Sequence, residues 1–331
     1  MATTEKDFRV KKGLIVGQDA TIGGSVTATS FIGNGSQLTG ISGGSGIQSV
    51  ATRPESPSNG TIIWNTTSNV LETYVGTGWV TLASQTLTFD YLVAAGGGGG
   101  GFDVGGGGGA GGLLTGTISG IPAGTYYAIT VGSGGAGGTS MGGTASSGTN
   151  SSIGTVAISL GGGGGANYFN NSGTSAGVSG GSGGGGAGWT YPSNGGSGTA
   201  GQGFAGGNGL GGTGTGGGGG GATAAGSAGI NNQNSFAPGG AGFASSITGT
   251  NTTYSTGGKG GGDSWTGMLS GSTNTGNGGD GSGLGSSPAG AGGSGIVVIR
   301  YTGAQRATGG TITSSGGYTV HTFTSSGTFT V

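Results

Sequence analysis

AAGGGGGGFDVGGGGGAGG, residues 94–112, decides how the rest of the chain is read. A flexible linker mixes Gly with Ser and occurs once. Here glycine runs recur from residue 96 to residue 295, with Phe, Trp, Tyr and Asn between them, and glycine supplies 98 of 331 residues. That share approaches collagen, but a strict Gly-X-Y register is absent and six prolines are too few to stiffen a triple helix. Disorder calls for high net charge, whereas the formal net charge is −1 and aromatic residues are frequent. The composition therefore points to an ordered chain.

Glycine is costly to order, by roughly 0.5–1 kcal/mol per residue relative to alanine. Something must offset that cost across dozens of residues. Polyproline II is the conformation expected for such runs. It has three residues per turn, a rise of about 3.1 Å and no internal hydrogen bonds. Its N–H and C=O groups must then find partners on neighbouring runs, which approach closely when no side chain intervenes. The expected fold class is mostly β plus polyglycine II. A short-strand, oligomerising N-terminus leads to a small β-meander module. A bundle of glycine helices follows, bracketed by β-strands.

Flanking segments supply the β-structure. Residues 1–46 read as very short strands with tight turns, and such a stretch cannot bury a core alone. Its apolar residues Leu14, Val16, Ile22, Val26, Phe31, Leu38 and Ile41 are the expected interface of a homotrimer. Residues 47–85 give three strand-like runs with Trp64, Tyr74 and Trp79 as packing aromatics. Within the glycine-rich domain, 86–303, TLTFDYLVAA (86–95), SSIGTVAISL (151–160) and GIVVIRYTG (295–303) read as strands. Residues 113–132 read as a β-hairpin turning near Pro122-Ala123-Gly124. The C-terminal segment, 304–331, alternates polar and apolar residues to its end.

Several kinds of chemistry are disfavoured. There is no cysteine and one histidine, so thiolate chemistry and His- or Cys-rich metal sites are not expected. Nine of the 17 charged residues lie in the first 55 positions, and between Tyr91 and Ile299 only Asp103, Lys259, Asp263 and Asp280 are charged. No basic stripe suits nucleic acid, and no run of about 18 apolar residues suits membrane insertion. The start lacks the apolar stretch of a secretory signal. Asp103, Asp263 and Asp280 have no partner acid nearby in sequence, and Lys259 lies outside any phosphate-loop motif. An enzyme is not expected, nor a metal or cofactor. His321, in an alternating segment, reads as a strand residue.

The segments between glycine runs carry Phe, Trp and Tyr beside Asn and Ser, a mixture suited to contact at low entropic cost. If successive runs alternate in direction, their loops alternate between two ends. Trp189, Tyr191, Asn194, Asn231, Asn232, Phe236 and Trp265 would share one end. Tyr168, Phe169, Phe204 and Tyr254 would share the other. Tyr168, Phe169 and Tyr254 are candidates for receptor contact together with the first set, and the first set is the expected host-facing tip.

Three stretches carry a resemblance. GLIVGQDATIGGSVTATSFIGNGSQLTGI resembles the N-terminal region of tail-fibre proteins of tailed bacteriophages, cyanophage-like ones in particular. RPESPSNGTIIWNTTSNVLETYVGTGWVTL resembles a small module common in such fibres. YLVAAGGGGGG with GGSGIVVIRYTG resembles their glycine-rich domain, and the fold analogue is the polyglycine-II tip adhesin of T-even-like long tail fibres. The departure is that this chain carries its own fibre-like N-terminus. The resemblance implies a virion protein made in the host cytoplasm. It would be trimeric, joined to tail or baseplate proteins through its N-terminus. Its loops would bind a bacterial surface glycan or outer-membrane protein. The alternative implied is a purely structural fibre or collar component.

Overall fold

The computed structural model describes residues 47–331 except 85, 169–174, 190, 192, 213, 233, 264–266 and 286–287. The chain divides into the units Met1–Ile47 and Gln48–Val331. The expected trimer interface, Leu14 to Ile41, lies outside the described residues.

The second unit opens with a four-stranded sheet in the order β1-β2-β3-β4. Its strands are β1 (Gln48–Val50), β2 (Ile62–Asn65), β3 (Val70–Tyr74) and β4 (Trp79–Ser84), one more than the sequence suggested. β1 pairs parallel to β2, and the others are antiparallel. Asn69 takes a positive φ of 53° in the turn before β3, a conformation asparagine tolerates. Tyr74 and Trp79 meet edge to face at 5.6 Å.

β5 (Thr86–Ala94), β6 (Leu113–Pro122), β12 (Ile296–Thr302), β13 (Thr311–Ser315) and β14 (Tyr318–Phe323) form a sheet in the order β13-β14-β12-β5-β6. β5 and β12 are thus central partners, with Leu92 opposite Val298. The strand entering the glycine region and the strand leaving it are held side by side. A second sheet has the order β15-β7-β8-β9, from β7 (Tyr126–Thr130), β8 (Ser151–Ile153), β9 (Ala157–Ser159) and β15 (Gly327–Thr330). Between the sheets lies the main core, including Leu87, Phe89, Val93, Ile129, Ile153, Ile299, Phe323 and Phe329. The opposite face of β5 and β12 packs Leu92, Ala94, Ile296 and Val298 against Ile247 and Tyr254. These last two come from the two-stranded sheet β10 (Phe243–Ser245) and β11 (Thr252–Tyr254) and its turn. Burial on both faces explains why β12 reads IVVI without alternation.

Two local expectations change. Residues 113–132 are not a hairpin, because β6 and β7 belong to different sheets. The turn at Pro122–Gly124 is a corner that carries the chain across the core. Residues 151–160 are two short strands, β8 and β9, joined by a tight turn with Gly154 at φ 49°.

The larger expectation, a bundle of glycine polyproline-II helices, is also corrected. The described residues are all-β, with four sheets and no helix. The mostly-β part of the expectation agrees. The reason is physical. β-branched and aromatic residues between and beside the runs have side chains that define sheets and a core. The glycine stretches have none, and form no element of their own. They are connections whose amides are satisfied sideways. Ala95, Gly98 and Gly101 donate to the carbonyls of Gly112, Gly109 and Gly106. Gly96 and Gly99 donate to Thr149 and Ser146, and Gly97 and Gly100 to Gly293 and Gly290. Consecutive amides of one stretch thus reach three different neighbours, and most of these glycines are buried. No backbone polar group can be left orphaned at such depth.

Candidate binding surface at the turn end

The pairing of glycine stretches fixes where the chain turns. Phe102 O accepts from Tyr168 N at 2.9 Å, and Tyr168 O accepts from Gly142 N at 2.9 Å. Gly188 N donates to Val104 O at 3.0 Å, Trp189 N to Gly214 O at 3.1 Å, and Thr215 N to Ile230 O at 3.0 Å. Asp103 Oδ1 accepts from Gly285 N at 2.9 Å. Turns near 103, 142, 189, 212, 231 and 285 therefore gather at one end. At the other end, Leu113 N donates to Gln202 O, Ala222 N to Ser255 O, and Ser255 N to Thr275 O, so those turns sit with the strands. The second unit has a turn end and a sheet end.

The two sets of aromatic residues expected to separate do not. Tyr168 is buried with Ala166 and Ala187, and Trp189 packs half-buried on that cluster. Both are at the turn end. Phe204 and Tyr254 are at the sheet end: Phe204 N bonds to Gly221 O, and Tyr254 is a core residue under β12. Tyr191, Asn194, Asn231 and Asn232 are exposed. Asn232 organises its own turn, its Oδ1 accepting from Asn234 N and its carbonyl from Ser235 N. Phe236 is half-buried, with Lys259 Nζ 4.6 Å from its ring centroid. Phe169 and Trp265 lie outside the described residues.

Sequence reasoning missed the aliphatic residues of this end. Met141, Leu210, Ile230 and Leu284 are exposed there beside Tyr191. Their signal was available: each is a single apolar residue with glycine or a small residue before it, as in SMGG, NGLGG, AGINN and GSGLGS. Such a residue cannot belong to a strand core.

The acids are committed to the backbone. Asp103, φ 59°, is buried, and its own N–H donates to Ser282 Oγ at 2.9 Å. Asp280 is buried and accepts from Lys259 N at 2.9 Å and Leu269 N at 3.3 Å. Burial pushes its carboxyl above the usual range, while those two N–H bonds pull the other way. No group of three His, Cys, Asp or Glu side chains converges among the described residues. His321 lies in β14, fully buried, with Nε2 3.0 Å from Tyr301 Oη and Nδ1 2.7 Å from Gly309 O.

A family model described as a glycine-rich domain matches residues 72–302, from β3 to the end of β12. The chain belongs to this glycine-rich domain family. No curated protein and no solved structure matches it. In this glycine-rich domain the matched span includes both the central strand pair and every turn of the turn end. No described helix is long and apolar enough to cross a membrane.

Proposed function

We propose that the chain is a tail-fibre protein of a tailed bacteriophage that attaches the virion to the host cell surface. Three copies associate through residues 1–46, which also join the fibre to tail or baseplate proteins. The turn end binds a surface glycan or an outer-membrane protein. One observation carries this reading. At least six turns, each anchored by hydrogen bonds of its backbone, present exposed Tyr191, Met141, Leu210 and Ile230 with Asn231 and Asn232 on one end. A fixed backbone lowers the ordering cost of binding, and an aromatic side chain amid amides suits contact at low entropic cost.

Virions carrying Tyr191→Ala with Met141→Ala test it. Both residues are exposed, so assembly is expected to be normal and host adsorption to fall at least ten-fold. Normal adsorption would sink the assignment. Failed particle assembly would instead favour a purely structural fibre or collar part.

A further inference from the structure

The sheet β1–β4 has its polarity reversed. On the face that the 51–60 segment closes, Ile63 is accompanied by buried Asn65 and Glu72. Arg53 forks onto Glu72 at 2.9 and 2.5 Å, and Asn65 Nδ2 donates to Glu72 at 3.1 Å. The opposite face carries the register row Ile62, Thr73, Val80, and beside it Trp64 and Leu71. That face is open: Val80 is 47% and Leu82 53% exposed, and Ile62 is exposed as well. A small sheet that stood alone would bury its apolar face and wet its ion pair.

We propose that this face is an interface between copies of the chain. Its residues carry no charge, so two copies meet without like-charge repulsion, while a charged partner finds no complement. β4 is an edge strand, and WVTLAS has none of the Lys, Glu or Pro residues that blunt edges against self-pairing. The stretch is shorter than the ~40 residues below which oligomerisation usually supplies the missing core. Residues 1–46 end where this sheet begins, so copies joined there hold their sheets at high effective concentration. Only this last argument rests on the trimer proposed above.

The chain has no cysteine, so a single introduced thiol reports its own surroundings. Full-length Val80→Cys, treated with a short bismaleimide, is expected to cross-link to a second copy at least ten-fold faster than Val156→Cys, which is similarly exposed in the turn between β8 and β9. In light scattering across a dilution series, Val80→Glu with Leu82→Glu is expected to raise the half-dissociation concentration at least ten-fold. Equal cross-linking at the two positions would overturn the proposal. So would a monomeric mass for the unmodified chain at every concentration. Adsorption of the Tyr191 variant is independent of either result.

Discussion

At Gly108 the neighbour is backbone. A Cβ there would overlap the carbonyl of Gly98, and one on Gly218 the carbonyl of Pro238. Backbone fixed on three sides cannot give way as a flexible side chain can, so overpacking is expected to exceed the usual 1–3 kcal/mol. Gly108→Val and Gly218→Val are expected to abolish soluble folding. Gly201 has φ 76° and open space around it. Gly201→Asn is therefore expected to stay within about 0.5 kcal/mol of the parent. Soluble yield and thermal melting check the three variants, and an unchanged melting temperature for either valine variant contradicts the close approach. His321 makes a second residue-scale case. Nδ1 must donate to the Gly309 carbonyl, so Nε2 accepts from Tyr301 O–H, and the Tyr301 oxygen accepts from Arg306 N and Ala307 N. Burial pushes the imidazole below its ordinary range, outweighing the Gly309 bond. The unfolded chain then takes the proton first. Stability from this group is whole above about pH 6.5 and falls as pH drops toward the folded value, by up to ~1.4 kcal/mol per unit. Denaturant midpoints between pH 7.5 and 5 are expected to decline, and His321→Gln is expected to flatten that decline.

Among elements, the strands of the core show what sequence carries and what it does not. β5 and β12 were legible because apolar runs of strand length stand at the two borders of the glycine region, and the alternating tail gave β13, β14 and β15. The corner between β6 and β7 was not. A Pro-Ala-Gly turn looks the same whether its strands pair with each other or cross to a second sheet, and the choice is made by β12 and β15, far away in sequence. The glycine stretches failed for a related reason. Their length and lateral bonding could be argued from backbone chemistry, but only neighbours in space decide what form they take. At the candidate surface, the turn segments were legible as segments. Their assignment to ends was not, since Tyr168 and Trp189 meet while Tyr254 turns into the core. β15 gives the element-scale prediction. Phe329 is fully buried, its ring 5.4 Å from Phe89 and 5.1 Å from His321. Phe329→Ala is expected to cost about 3–5 kcal/mol, read as a lowered denaturant midpoint. Tyr126→Ala, on the exposed side of the paired strand β7, is expected to change it by less than ~0.5 kcal/mol.

For the whole molecule, the division into a sheet end and a turn end carries the functional argument. Strand pairs, both main cores and the chain's entry from β4 lie at one end, so stability is concentrated there. Turns at the other end are held by their own backbone bonds, by Asp103 and, at residues 232–235, by Asn232 Oδ1, and the exposed aliphatic side chains make none of these bonds. Changing those side chains should thus alter binding and leave folding untouched. The triple variant Met141→Ser, Leu210→Ser, Ile230→Ser removes aliphatic groups from three separate turns. Hot-spot energetics lead to a loss of more than about 1 kcal/mol for each well-packed contact, hence a fall in host adsorption of at least ten-fold with an unchanged melting temperature. The control is Tyr126→Ser with Phe204→Ser, exposed aromatic residues of the sheet end, for which adsorption is expected to be unchanged. If the control variant loses adsorption and the turn-end variant keeps it, the binding surface lies among the sheets, and the polarity argued for the molecule is reversed.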